Sequence, residues 1–400
     1  MVELPDYDVI IVGGGMVGGC LALALRQSSL RVAVIEARPA DDKQDDAGKR
    51  AIALSWGSRC LLEQLGLWSK LQPEAVPIEQ IHVSDKGHFG KTRLSATSQS
   101  VDALGYVVAA EKIEAAVEAD LAAADFDLYC PAELRGYQVK DDVVQLEIDC
   151  QEGRKYVSCY LLVGADGGSS SVRELGCFDV QQKPYRQQAV TALLRVESEP
   201  QGVAYERFTD EGPIAMLPHT DGNYSLVWTL PSELAQQVIR LPKEEFEDRL
   251  QQRFGQWLGG LSLLGACQSF PLNLSYVTQS YASRVVLIGN AAHQLHPVAG
   301  QGFNLGLRDA AMLADVLMAP PQDIGSDLLL EKYAEQRQAD QALVIGFTDN
   351  VVKLFSTSNG LLSTIRNSGL LLMDKWPLLK NKFAQQTMGL ATRLPRLKGK

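Results

Sequence analysis

The sequence predicts an α/β fold in which a buried parallel sheet is assembled from distant stretches of chain, with a mostly antiparallel sheet inserted and a helical C-terminal region. Three observations predict it. Short continuous apolar runs rich in β-branched residues recur at 8–12, 160–165 and 284–289, as strands buried on both faces require. Strand-like runs at 189–196, 204–208 and 224–230 crowd the intervening stretch, the pattern of an antiparallel sheet. The 400 residues also exceed what one hydrophobic core ordinarily supports, so more than one core is expected.

In chain order, residues 8–12 (DVIIV) predict the first strand, glycines at 13, 14, 15, 18 and 19 a tight turn, and 20–25 an apolar helix. RVAVIE at 31–36 is the second strand. An acid-rich loop at 39–49 leads into an amphipathic helix expected over 51–65, with Leu54, Leu61, Leu62 and Leu65 at helical spacing. From 77 to 153 short strands alternate with one helix at 111–124. A helix at 243–254 interrupts the inserted sheet, another follows at 303–318, and 326–390 reads as helices. The expected division is a discontinuous nucleotide-binding domain of 1–76, 100–180 and 280–325, a β-sheet substrate domain of 77–99 and 181–279, and a helical region of 326–400.

Composition narrows the partners. With 38 Lys plus Arg against 48 Asp plus Glu, the net charge is −10 and no basic run exists, which argues against nucleic acid. Seven cysteines, odd in number and never spaced C-x-x-C, argue against a disulfide framework or zinc site and for reduced thiols in the cytoplasm. Acids near the start stand where a secretory leader carries bases. The longest uncharged stretch, 254–283, contains Gln, Asn, Gly and Pro271 and falls short of the roughly 20 apolar residues of a membrane span.

Gly13-x-Gly15-x-x-Gly18 follows a strand and opens a helix, and Glu36 ends the next strand. Gly13 permits the turn, Gly15 lets backbone amides approach a pyrophosphate, and Gly18 lets helix and sheet pack closely. The helix N-terminus offers unpaired N–H groups to the phosphates, and Glu36 stands where an adenosine ribose would donate. This unit binds a dinucleotide, NAD or FAD alike. Two more segments carry similar turns. In 161–173 (LLVGADGGSSSVR) a strand ends at Asp166-Gly167, and in 287–306 (LIGNAAHQLHPVAGQGFNLG) a glycine turn is followed by a second that starts a helix.

These three segments, in this order and at these separations, resemble those of the FAD-dependent aromatic hydroxylases, the class A flavin monooxygenases. VSDKGH at 83–88, YERFT at 205–209, GPIAMLP at 212–218, SLVW at 225–228 and TDN at 348–350 are similar to segments of the ubiquinone-biosynthesis branch, so the likeness covers nearly the whole chain. The resemblance implies a discontinuous Rossmann-like FAD-binding fold. Gly13, Gly15, Gly18 and Glu36 would hold the ADP half, and Arg50 would approach the flavin. Asp166 and Gly167 would serve contacts shared by FAD and nicotinamide, and Gly289 and Asn290 would meet the ribitol and pyrophosphate. Pro297, Gly300, Gln301, Gly302 and Asn304 would line the isoalloxazine, with His296 and Pro297 shaping its site. Many relatives carry Asp where this chain has Asn290.

The implied activity is hydroxylation of the ring of a polyprenylated phenol in ubiquinone biosynthesis, with NAD(P)H as transient co-substrate and O2 as oxidant, through a flavin C4a-hydroperoxide. Alternatives are a flavin-dependent polyprenyl reductase and a non-catalytic flavoprotein of a biosynthetic assembly. The histidines at 293 and 296 lack a carboxylate or cysteine close in sequence, so no metal site is expected, and His82, His88 and His219 default to surface or core. No side chain nominates itself as a proton acceptor for the phenol. After Val351, nine basic residues stand against one acid, interleaved with apolar ones. Such a tail suits peripheral contact with the inner membrane surface, a packed helix with a solvated basic face, or a surface for a homo-oligomer or partner assembly.

Overall fold

A computed structural model of the chain describes residues 4–39, 50–88, 90–199, 201–296, 300–319, 323–355, 376–391 and 394–395. Its first eight-stranded sheet runs in the order Tyr281–Ala282, Val285–Leu287, Gly153–Gly164, Tyr7–Val12, Val32–Ile35, Asp127–Tyr129. All neighbours from Val285–Leu287 onward are parallel. The continuous apolar runs are explained by two covered faces. Val9, Ile11, Val34, Leu161 and Val163 pack toward the helices Met16–Leu25, Ala110–Ala123 and Gln301–Met318. Ile10, Ala33, Ile35 and Leu162 meet Leu134, Val144, Leu146 and Ile148 of the antiparallel hairpin Ala132–Lys140/Val143–Cys150.

The second eight-stranded sheet runs His293–Gln294, Leu261–Val277, Val180–Val196, Tyr224–Pro231, Pro213–Pro218, Val203–Phe208, Gln80–Asp85, Lys91–Ser95. Here the side chains alternate. Val190, Ala192 and Leu194 join Trp228, Phe246 and Phe254 beneath the helices Ser232–Val238 and Lys243–Phe254, while Ala189 and Thr191 face the opposite way, into a cavity. Trp228 and Phe246 meet edge-on at 6.1 Å. One face is therefore sealed by helices and the other looks toward the parallel sheet.

The helix expected over 51–65 is a strand followed by a helix. Ala51–Ser55 pairs antiparallel with Gly105–Ala109 in a three-stranded sheet completed by Val76–Ile78, and the helix covers Trp56–Gln64. Ser55 marks the junction, since its hydroxyl accepts from the Ser58 N–H at 3.2 Å and caps the helix. Leu54 enters the same core as Leu61, Leu62 and Leu65, so the leucine spacing survives although the element changes. The first helix also begins at Met16 rather than 20, and Ser232–Val238 is a helix that periodicity did not show.

The helices Asp327–Phe355 and Pro377–Thr387 are the last two among the described residues. Asp349 ties the former to the second sheet through Lys183 at 2.5 Å and the Tyr185 hydroxyl at 3.0 Å. No helix among the described residues is long and apolar enough to cross a membrane. Most of the basic and apolar tail positions, 356–375 and 396–400 among them, lie outside the described residues.

Candidate functional site

A cavity of about 1550 Å3 lies at the C-terminal ends of Tyr7–Val12, Val32–Ile35 and Gly153–Gly164 and extends to the inner face of the second sheet. Carboxyl ends of parallel strands are where open α/β sheets bind ligands. Sites for one small molecule run to about 1,000 Å3, so this cavity has room for a dinucleotide and a second molecule.

The Gly13–Gly18 turn follows from steric necessity. Gly13 has φ +102°, and a Cβ there would stand 2.5 Å from the Ala165 carbonyl oxygen. A Cβ on Gly18 would stand 1.9 Å from the Gly13 oxygen and 3.0 Å from the Ala165 Cβ. A Cβ on Gly15 would meet no atom within 4 Å, since that position opens on the cavity at the start of Met16–Leu25. Glu36 braces the turn, its Oε2 accepting from the Gly14 N–H at 2.7 Å and its Oε1 from the Arg38 N–H at 3.1 Å. Glu36 and Arg50 both line the cavity.

Asp166 and Gly167 line it from the neighbouring strand end. Asp166 Oδ2 accepts from the Ser171 hydroxyl at 2.9 Å and the Val172 N–H at 3.2 Å, whereas its buried Oδ1 has no partner among the described residues. Arg173 donates to the Gly168 and Ala291 carbonyls and so binds the second motif to the third.

In the third motif, Asn290, Gly300, Gln301, Gly302 and Asn304 reach the cavity, and Gly289 lies buried behind them. Gly300 caps Gln301–Met318 at φ +60°, in the left-handed region that favours glycine. The Asn304 side chain is committed to the protein. It donates to the Ala53 and Gly300 carbonyls at 2.8 and 2.7 Å and accepts from the Ser55 N–H at 2.8 Å, locking the turn to Ala51–Ser55. Pro297 lies outside the described residues. His296 is buried behind the cavity wall, edge-on to Tyr185 at 5.3 Å, and burial lowers its pKa to about 4, so the ring is neutral at physiological pH.

His293 finds the carboxylate that the local sequence lacked. Its Nε2 lies 2.5 Å from Asp309 Oδ2, which also accepts from the Gly289 N–H at 3.1 Å. Asp309 Oδ1 accepts from Arg337 Nε at 2.8 Å, and Asp340 accepts from both Arg337 and Arg308 at 2.7 Å. Burial alone would raise the Asp309 pKa, but His293 and Arg337 hold it well below the usual carboxylate range. Among the described residues no cluster suits a metal ion.

The far wall is apolar, with Ala189, Ala204, Leu217, Val227 and Leu272 from the second sheet and Phe383 from the last helix. Among the described residues of this wall the one carboxyl is that of Glu206. Sequence reasoning missed Glu206, although an acid flanked at i±2 by Ala204 and Phe208 was visible.

Comparison with known proteins accords with this geometry. The family model described as FAD binding domain matches residues 6–348. The ubiquinone hydroxylase UbiL of Rhodospirillum rubrum is 34% identical, the match covering 96% of this chain and 89% of that protein. The 3-demethoxyubiquinol 3-hydroxylase of Escherichia coli is 32% identical over 96% and 98% of the two chains. The crystal structure of p-nitrophenol 4-monooxygenase PnpA from Pseudomonas putida superimposes with a TM-score of 0.78 at 19% identity, over 96% and 98% of the two chains, which is a likeness of fold. A family model that spans most of the chain, and relatives above 30% identity along nearly all of it, mean that the chain belongs to the FAD-binding-domain family, in the branch of the ubiquinone-biosynthesis hydroxylases.

Proposed function

We propose that the chain is an FAD-dependent, NAD(P)H-consuming monooxygenase that hydroxylates the ring of a polyprenylated phenol in ubiquinone biosynthesis. The observation that carries this reading is one continuous cavity with a dinucleotide turn at one end and an apolar sheet wall at the other. The residues fit FAD. Gly15 leaves an open cradle at a helix N-terminus, and Asp166 Oδ1 is a buried acceptor awaiting a donor such as a ribitol or ribose hydroxyl.

In this reading Gly13, Gly15, Gly18 and Glu36 hold the ADP half, while Arg50, Asp166, Gly167, Gly289 and Asn290 hold the middle of the cofactor. The turn Gly300–Gln301–Gly302, clamped by Asn304, carries the flavin ring. FAD, when bound, supplies the redox chemistry, accepting hydride from NAD(P)H and activating O2 for transfer of one oxygen atom to the ring. The chain's own residues orient the phenol and exclude water, the second through the sheet wall and Phe383. Because its substrate carries a lipid tail, the chain in this reading also makes peripheral contact with the inner membrane surface or with an assembly of pathway proteins.

The test is oxygen uptake and product analysis with purified holoprotein, NADPH and 2-farnesyl-6-methoxyphenol, the short analogue of the 2-polyprenyl-6-methoxyphenol to which the finer resemblance points. One O2 consumed per NADPH and per hydroxylated phenol is expected. A saturated prenyl chain without oxygen uptake would instead reveal a reductase, and FAD binding without turnover a non-catalytic flavoprotein. Asn290→Asp is expected to retain FAD as well as or better than the native chain, because a carboxylate accepts hydroxyl donors with full charge. A flavin dissociation constant that worsens tenfold counts against Asn290 facing the ribitol.

A further inference from the structure

Glu206 stands on Val203–Phe208, on the face of the second sheet that lines the cavity. In register it lies beside Val83 on one neighbouring strand and Ala215 on the other, both apolar and both lining the same cavity. Other ionisable groups in this part of the sheet are engaged elsewhere. The Tyr205 ring turns to Phe254 and Trp257 at 5.6 and 5.7 Å, and the Arg207 guanidinium lies over Trp257 at 4.7 Å. His82, in register with Tyr205, stacks on Trp257 at 4.4 Å, and Asp85 lies 3.2 Å from His88. Pro213–Pro218 carries no charged residue.

The carboxyl is thus half-buried on the sheet, facing the cavity, and without a charged partner among the described residues. A lone buried carboxyl costs stability and is retained where a ligand uses it. We propose that Glu206 is the catalytic residue that accepts the proton of the substrate's ring hydroxyl; this deepens the hydroxylase reading and rests on it. As the new C–O bond forms on the ring, the phenolic O–H bond breaks and its proton passes to a Glu206 carboxylate oxygen. The O–H electron pair stays on the phenolic oxygen and drives the ring electrons toward the oxygen being transferred, whose O–O bond breaks so that the second oxygen atom of O2 leaves as water with the two electrons that NAD(P)H supplied. The ring then regains aromaticity by losing its C–H proton to water, and Glu206 returns its proton to water once product leaves. The oxidant is O2 and the reductant NAD(P)H, as already named.

Burial lifts the Glu206 pKa to about 7, which suits a base working near neutral pH. The carboxylate predominates above that value and the neutral acid below it. The experiment compares wild type, Glu206→Gln and Glu206→Leu as holoproteins, at about pH 5.5 and about pH 8.5. The ligands are 2-farnesyl-6-methoxyphenol and its O-methyl ether, which has no proton to give. In calorimetry without reductant, wild type is expected to prefer the phenol by about tenfold at the higher pH and to lose that preference at the lower. Glu206→Gln, which accepts a hydrogen bond but not a proton, should bind the phenol within about threefold of wild type, show no pH step, and lose about a hundredfold in kcat. Glu206→Leu should abolish the preference and, with the buried charge removed, unfold at a higher temperature than wild type above pH 7. Wild-type kcat and pH profile in Glu206→Gln would overturn the assignment. If no phenol is hydroxylated by wild type, the activity reading falls, while the phenol-over-ether preference still reports whether Glu206 faces a hydroxyl donor.

Discussion

Gly18→Ala is expected to cost the chain its FAD, and Gly15→Ala to do so by a different route. At position 18 the added Cβ would lie 1.9 Å from a backbone oxygen, and no side-chain adjustment relieves a clash with backbone. The helix Met16–Leu25 has to tilt off the Gly13 turn, which pulls its N-terminal N–H groups away from the pyrophosphate. At position 15 the Cβ meets no protein atom within 4 Å, so the fold is undisturbed, but it projects where the phosphate must come closest. Both variants should lose at least about 100-fold in FAD affinity, equivalent to about 3 kcal/mol. Only Gly18→Ala should also lower the melting temperature of the apoprotein. Flavin absorbance per chain after gel filtration, together with apoprotein melting, separates the two. Wild-type retention of FAD by Gly15→Ala would mean that this turn does not hold the phosphates.

The contrast between these glycines and Glu206 shows where sequence reading succeeds. The Gly13 turn was legible because its requirements are local: two strands, five glycines and an acid within thirty residues specify one conformation. The buried strands were legible for the same reason, since a sheet covered on both faces leaves a continuous apolar run. Residues 51–55 were not, because AIALS carries its leucine at a spacing that serves a helix or a strand leading into one. The pairing that decides, with Gly105–Ala109, comes from half a hundred residues away. Glu206 was hidden by alternation, as an acid in a strand ordinarily points to water, and only the sheet's second covered face turns it inward. The partner of His293 was hidden by distance, since Asp309 lies on the next helix and Arg337 on the one after.

That last cluster supports the second large effect. Arg337→Met is expected to destabilise the fold by about 3–5 kcal/mol, the usual cost of breaking a buried ion pair from one side. The native guanidinium is almost wholly buried between Asp309 and Asp340, and its loss leaves two buried carboxylates with Arg308 as the one remaining guanidinium in contact with them among the described residues. The sign with pH follows. Both carboxyl groups, despite burial that would raise them, are held below their ordinary value, Asp309 by His293 and Arg337 and Asp340 by Arg308 and Arg337. Their contribution is therefore complete above the unfolded pKa near 4 and is lost as pH falls through the depressed folded values. Urea midpoints should show the gap between native chain and variant at full size near neutrality and shrinking in acid. A gap below about 1 kcal/mol at pH 7 would mean that the network is solvated and structurally idle. Because Asp309 also accepts from the Gly289 N–H, the strain should reach the cofactor turn as well. Arg337→Met ought to weaken FAD binding although Arg337 is absent from the cavity wall, and that remote loss distinguishes a network that positions the turn from one that merely packs beneath it.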